Sequence, residues 1–546
     1  FPAIYEGEMM MMYLGRGIKR NPHDVARAIA LNIAESADLL ADDDQIKNIK
    51  SICRRMLTKN SYYPDVYSGF DPILDKSRVD RLLNDESLSE VEPTSFNIVM
   101  AAGDRVIHNL PDFRFGISMS SSRIVKFESI NNENTKGWYL GDGMTYIYNS
   151  TDRSQYVNYF NLVNMQRLPG TTVDVLSRSI MNTGNYGLFG IPVNAQDWTG
   201  GASLNGTYGV AGMHLVSEIG SLEARKSWFM FDDEVVALGA GISMTEERAA
   251  ETIIENRNSL KDLYVDGELK PATKGWSETL TNPRWVNLEG TGGYYFPEAL
   301  TVNAMRDYNG FTQLYINHGS TPENAEYKYV LLPSLTKEET ETYASHPDRE
   351  VVCNTDHIQA VREKELNILG INFWQAGQVD NVICDTQAAV VMQENGASLH
   401  ISVADPTWKQ TSIQLSLTGN YRIEEENDRV SLEVNGDKSD IVFDVTDKMG
   451  QSIEVSLVNN DYTALDEKCV DKPVYIWEHS SSTVFIKNIN PRSRIVVYDI
   501  DGRQCYIATE FTDNVKIDFS NYKKGVYIIR CVQSDGNSYV WKFVNT

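Results

Sequence analysis

The sequence predicts a mainly β protein in which a short helical segment leads into a long series of antiparallel strands. Three observations carry that expectation. Between residues 90 and 335, short apolar or alternating runs recur (FNIVMAA, RVIHNL, FRFGISM, SRIVKFE, MTYIYN, TYGVAGMHLV, SWFMFDDEVVALGAGI), each broken by Gly, Asn, Asp or Pro. Aromatic residues make up 10% of the chain, and 28 Tyr, 9 Trp and 37 Gly favour pleated sheet joined by tight turns. Helical periodicity is confined to residues 1 to about 75.

Within that opening stretch, Asn21-Pro22 is a start signal, an Asn cap followed by Pro at the first helical position. Asp24 suits the positive end of the helix, and Val25, Ile29, Ile33 and Ala37 recur at four-residue spacing to give one apolar face. A second helix is expected over Gln45 to Leu57. The strand series from 90 to 335 fits one large antiparallel body, such as a supersandwich, better than separate small sandwiches. The charged stretch SLTKEETETYASHPDRE (334–350) reads as a helix or a linker. Strands resume with VREKELNILGINFW, AAVVMQE, SLHISVADP, SIQLSLTG, SLEVNG and SIEVSLV, a second and smaller sandwich ending near residue 457. Two hairpins, turning at Asp501-Gly502 and at Ser534-Asp535-Gly536, define a third β-unit at the end of the chain. The expected domains are 1–80, 90–340, 355–457 and 470–546.

At 546 residues the chain is too long for one core. A net charge of −25 excludes a nucleic-acid binder, which needs a basic footprint. For an anionic ligand the same charge demands that basic residues gather in one cleft, because a carboxylate is held by local Arg and Asn groups rather than by the overall field. No apolar run is long enough to cross a bilayer as a helix, and Met9 to Leu14 is far too short. The six Cys (Cys53, Cys353, Cys384, Cys469, Cys505, Cys531) show no CxxC pair or metal-like spacing and read as buried thiols; Cys505 and Cys531 share one module and are placed to pair in an oxidising compartment. The eight His are scattered without ligand spacing, and no nucleophile elbow, zincin helix, P-loop or EF-hand pattern is present. The first residue is Phe, which implies either a mature terminus or a fragment.

Four clusters carry the chemistry. Arg16-Gly17-Ile18-Lys19-Arg20 sets two Arg four residues apart, on one face if the segment is helical, and the guanidinium fork suits carboxylate or sulfate. On residues alone it reads more readily as a solvated basic turn ahead of Asn21. The stretch from Ser121 to Tyr146 crowds acid, amide, base and aromatic residues between strands, as a binding loop does, although Asn, Ser and Gly also serve any tight turn. Arg167-Leu168-Pro169-Gly170-Thr171-Thr172 is by itself a turn. Trp198, beside Gly200 and Gly201, reads either as a sugar-stacking platform or as a core Trp.

Six strings, RGIKR (16–20), ISMSSSRIVKFESINNENTKGWYLGDGMTYIYN (117–149), RLPGTT (167–172), ARKSWFMFDDEVVALGAGI (224–242), TIIENR (252–257) and HGSTPENAEYKYVLLP (318–333), follow in the order in which polysaccharide lyase family 8 carries them. The chain therefore resembles the chondroitin AC, hyaluronan and xanthan lyases. Residues 365–455 resemble that family's C-terminal sandwich, and the last 70 or so resemble a Bacteroidetes-type sorting or appendage module.

The resemblance implies the end of an α/α toroid, a central supersandwich, a small sandwich and a C-terminal module. It implies β-elimination at a uronic acid of chondroitin or hyaluronan, with 4,5-unsaturated products. A xanthan-type lyase or a non-catalytic carbohydrate-binding fragment is the alternative. Arg16 and Arg20 match the family's substrate-contacting arginines, and Glu128 matches the Glu that holds the catalytic cluster. Asn131 matches a cleft Asn, with Asn134 as a further cleft candidate, and Arg123 joins the substrate side more as a support for its loop than as a sugar contact. The family's catalytic Asn, His and Tyr lie upstream of the Arg segment, so the resemblance implies an upstream toroid of the same enzyme as a partner, and little activity from residues 1–546 alone. It implies no required cofactor, with calcium bound in the β-domain of some members, and a secreted or periplasmic bacterial protein.

Overall fold

In the computed structural model, helix α1 (Pro22–Ser36) starts where the cap signal places it: the Asn21 side chain accepts a 3.0 Å hydrogen bond from the His23 backbone N–H. Its most buried stripe runs through Ala26, Ala30, Ala34 and Ala37, one position round from the expected face, and Val25, Ile29 and Ile33 pack half-buried beside it. Alanine leaves room for α2 (Asp43–Thr58), which buries Cys53, Met56 and Leu57 against it. A third helix, α3 (Lys76–Leu83), buries Val79 and Leu82. The described residues are 2–59, 65–68, 70–152, 155–181, 193–462 and, beyond these, most strand residues between 474 and 545. The expected turns at Asp501-Gly502 and Ser534-Asp535-Gly536, and Cys469, lie outside them.

Residues 2–20 are not helical, which corrects the sequence expectation. A two-stranded bridge, Ile4–Tyr5 with Glu8–Met9, turns through Glu6 and Gly7 at φ 46° and 81°. Two 3₁₀ turns follow, Met11–Tyr13 and Gly15–Gly17. Left-handed residues at the turn and at Gly15 (φ 55°) interrupt any α-helical ladder here.

The central body is antiparallel. A nine-stranded sheet runs Glu268–Lys270, Leu263–Val265, Trp285–Leu288, Gly292–Tyr295, Ala325–Pro333, Val235–Ser243, Glu223–Met230, Tyr208–Val216, Thr199–Leu204. It faces a five-stranded sheet that includes Ala249–Arg257 and Thr312–Ser320. A four-stranded sheet, Phe96–Met100, Arg105–Asn109, Phe113–Ser118 and Met144–Asn149, joins the helical segment to this body.

The near-continuous apolar run from Ser227 to Ile242 has a physical reason. Trp228, Met230, Val235 and Ala237 enter the core between the sheets, while Phe229, Phe231, Val236 and Leu238 pack against Val361, Ile368, Trp374 and Ala389 of the second sandwich. A strand buried on both faces keeps no polar alternation.

Helix Lys337–Ser345 carries a complete capping box between Thr336 and Glu339 and links the two bodies. The second sandwich pairs a seven-stranded with a five-stranded sheet over residues 349–459. The C-terminal module pairs a three-stranded with a four-stranded sheet. Mainly β architecture with a large sandwich, a smaller sandwich and a C-terminal β-module is thus what the sequence predicted.

Cys53, Cys353, Cys384 and Cys505 are free thiols, so the Cys505–Cys531 disulfide considered for the C-terminal module is not formed. Among the described residues no helix is long and apolar enough to cross a membrane.

Candidate active-site cleft

Gly15 fixes where the arginine segment goes. At φ 55° it turns the chain so that the next backbone N–H, that of Arg16, donates to Glu128 Oε2 at 2.9 Å. A Cβ on residue 15 would lie 2.1 Å from that same oxygen. The Arg16 guanidinium then folds back to the other Glu128 oxygen, Nη1 to Oε1 at 2.9 Å. One carboxylate thus holds both the backbone and the side chain of Arg16 across 112 residues of sequence. Arg16 Nε also donates to Glu133 Oε2 at 3.1 Å, and Arg20 Nη2 reaches the same oxygen at 2.7 Å. The two arginines therefore converge on one point without sharing a helix face, because successive 3₁₀ turns carry Arg20 round to it.

The loop that presents Glu128 and Glu133 is built from left-handed residues, Asn131 (φ 56°), Asn132 (φ 60°) and Asn134 (φ 54°), which asparagine tolerates better than other side chains. Its backbone is tied by Glu133 N–H to Ile130 O at 3.0 Å and by Ser129 Oγ to Glu133 O at 2.8 Å. The base of the loop is anchored by Lys126 paired with Asp142 at 2.8 Å and by Trp138 Nε1 donating to Ser179 O at 3.0 Å.

A cavity of about 310 Å³ opens beside the arginines, lined by Arg16, Lys19, Arg20, Glu133, Lys136 and Phe160 among others. In a chain of net charge −25 this local excess of cations is the gathering that an anionic ligand needs. A larger cavity of about 560 Å³ lies among the helices, but its cations are spent internally, Arg78 on Glu35 and Asp75 and Lys50 on Asp38.

Several sequence expectations shift. Trp198 is 3% exposed, its Nε1 donates to Phe373 O at 3.1 Å and its ring lies 4.0 Å from that of Trp374. It cements the two sandwiches and has no face to offer a sugar, which corrects its placement as a stacking platform. Arg123 donates to the carbonyls of Asp197, Thr199, Pro406 and Thr407 and stacks over Trp408, so its fork is taken up in supporting the loop. Asn134 is buried on the cavity wall, with its amide donating to Glu128 O at 2.8 Å. Asn131 is exposed at the loop tip, and Asn132, Glu133, Asn134, Thr135 and Lys136 form the wall beside it. Glu133 was missed as a site residue although it lies inside a string read as significant. Its partners are 113 and 117 residues away, so only the fold reveals the pairing.

Tyr13, the tyrosine nearest in sequence to Arg16, donates to Met100 Sδ, and burial pushes its hydroxyl up to about 12. It is therefore poorly suited to act as a base.

For calcium, the donor set that fits is Asp232, Asp233 and Glu234, whose carboxylate oxygens lie within 4.8 Å of one another. Arg349 pairs with Asp232 and Glu234 and also with Asp348 and Glu363. These are oxygen donors of the kind calcium prefers, but Arg349 pairs with four of the five carboxyl groups, and burial raises Glu363 and carries Glu234 well above the usual carboxylate range.

This architecture is shared with known proteins. The family model for the polysaccharide lyase family 8 super-sandwich domain matches residues 95–344, and that for the family's C-terminal beta-sandwich domain matches residues 350–414. Together they cover more than half of the chain, which belongs to polysaccharide lyase family 8. Residues 478–545 match a secretion system C-terminal sorting domain, which marks the protein for export.

Xanthan lyase of Bacillus sp. (strain GL1) is 37% identical over 74% of this chain and 46% of its own length. Hyaluronate lyase of Thermasporomyces composti is 30% identical over 79% of this chain and 60% of its own. The solved structure of Paenibacillus xanthan lyase superposes with a TM-score of 0.77 at 28% identity, covering 100% of this chain and 61% of that one. The chain thus spans about half the length of the curated relatives it matches.

Proposed function

We propose that the protein is a lyase that cleaves an acidic polysaccharide by β-elimination at a uronic acid, giving a 4,5-unsaturated product, and that residues 1–546 supply the arginine side of its cleft. The observation that carries this reading is the double hold of Glu128 on Arg16, with Arg20 meeting the same loop at Glu133. Elimination is limited by the weak acidity of the C5 proton. A positioned guanidinium beside the uronate carboxylate stabilises the charge that develops there as the proton leaves. It is worth most when fixed in advance, and Glu128 fixes Arg16.

The proton-transfer groups, a His and a Tyr in this family, and the Asn that helps to stabilise the charge at the carboxylate, belong to an upstream toroid of the same enzyme, which is the partner this reading requires. Tyr13, half-buried with its hydroxyl on Met100 Sδ and pushed up to about 12, is poorly suited to stand in for them. No organic cofactor is needed. Calcium, when bound, would add neutralising charge at Asp232, Asp233 and Glu234, where Arg349 already pairs with Asp232 and Glu234 as well as with Asp348 and Glu363.

Chondroitin and hyaluronan are the substrates read from the sequence. A xanthan-type polymer is the second reading, favoured by 37% identity to a xanthan lyase against 30% to a hyaluronate lyase. A panel of chondroitin, hyaluronan and xanthan, followed by ultraviolet absorbance of the unsaturated uronate, tests both. Absorbance that rises on one polymer and is lost in Arg16→Ala supports the proposal; flat traces on all three from the intact protein contradict it.

A further inference from the structure

Resting on that reading, we propose that Glu133 is a specificity-determining residue of the cleft: its carboxylate occupies the arginine fork as a stand-in for a sugar carboxylate or sulfate, and an anionic substituent binds by displacing it. The geometry separates Glu133 from Glu128. Glu128 engages Arg16 at two points, backbone N–H and Nη1, and stays in place when a ligand arrives. Glu133 touches only side chains, Arg16 Nε at 3.1 Å and Arg20 Nη2 at 2.7 Å, through a single oxygen.

These contacts face solvent. The Glu133 and Arg20 side chains are 42% and 54% exposed, so exchanging one carboxylate for another costs little desolvation. The Glu133 backbone is pinned at both its N–H and its carbonyl, so the side chain can swing aside by rotation about its own bonds while the loop stays still. What the swing exposes is Arg16 Nε and Arg20 Nη2 on a cavity also lined by Lys19 and Lys136. A group that replaces Glu133 must itself be an oxyanion, because a neutral hydroxyl does not compete with a carboxylate for guanidinium donors. The residue thus favours sugars carrying a carboxylate or sulfate near the cleaved bond over neutral ones.

The test uses inorganic sulfate as the probe, titrated calorimetrically into the intact protein, alongside steady-state kinetics on the polymer that is cleaved. Glu133→Gln keeps the shape of the side chain and removes its charge. It is expected to bind sulfate roughly fivefold more tightly than wild type, the scale of two exposed ion pairs. KM should fall by about the same factor, with kcat little changed. Arg20→Ala in the same background should abolish the gain. Glu133→Asp, with a shorter reach, should fall between.

Sulfate affinity equal to or weaker than wild type in Glu133→Gln and Glu133→Asp, or a loss of kcat at constant KM, overturns the proposal and makes Glu133 a positioning residue. The sulfate titration involves no turnover. A failed lyase assay with tightened sulfate binding therefore sinks the activity, not the gate, and Arg16-dependent elimination with unchanged sulfate binding sinks the gate alone.

Discussion

Gly15 shows how one residue without a side chain sets the chemistry of the next. Its positive φ and the 2.1 Å approach of Glu128 leave no room for a Cβ, so Gly15→Ala must push away either the carboxylate or the arginine turn. The expected outcome is a loss of stability of about 1–2 kcal/mol in denaturant unfolding and a fall in kcat/KM of about 100-fold from a misplaced Arg16. An active Gly15→Ala would mean that the arginine geometry is unimportant. Glu128→Gln separates charge from shape. Its partner pair is about one-third exposed, so unfolding should change by no more than about 1 kcal/mol while activity falls steeply. Arg16, Arg20 and Glu128 were singled out in the sequence because their strings stand in family order. Glu133 was not, because its meaning comes from two arginines brought to it by turns that the sequence reading took for helix.

At the scale of elements, cap chemistry and strand punctuation read well from sequence. The Asn21 cap depends on a neighbour two residues away; the Thr336–Glu339 box is as local, yet the sequence reading of 334–350 stayed open between helix and linker. The fate of an aromatic does not. Trp198 sits among glycines as a sugar platform would, yet it is covered by Trp374, 176 positions later, because the second sandwich docks on that face.

Packing between sheets also sets a pH response. Burial lowers His318 to about 4 and His214 to about 3, and His318 Nε2 lies 2.9 Å from Thr252 Oγ1. An unfolded His titrates near 6.5. Below that value the unfolded chain binds protons that the folded chain refuses, so this contribution to stability is complete above about pH 6.5 and is lost as pH falls towards 4. Glu255 and Glu363, raised by burial, act in the opposite sense, so the difference between variants is the clean reading. In His318→Gln the urea midpoint should fall less between pH 7 and pH 4.5 than in wild type; parallel profiles would contradict the assignment.

For the whole molecule, the nine-stranded sheet is the shared wall of two cores, and its burial on both faces ties the sandwiches together. Mainly β architecture was legible because strand runs and turns are local signals. The docking of one sandwich on another was not, since nothing local distinguishes a strand buried once from one buried twice. At the carboxylate cluster, chelator dialysis of the exported protein should lower its melting temperature by a few degrees, with recovery on adding calcium chloride, if Asp232, Asp233 and Glu234 hold the ion. An unchanged melting curve would leave Arg349 as the cluster's sole counter-charge.

The most direct test of the central claim is the ultraviolet absorbance of unsaturated uronate released by the intact protein and by its Arg16→Ala variant from chondroitin, hyaluronan and xanthan. Absorbance is expected to rise with the wild-type protein on one of these polymers and to fall by 100-fold or more, on the order of magnitude expected for a lost charge-stabilising group, in the variant. Equal rates from both proteins, or no unsaturated product from either on any polymer, would contradict it.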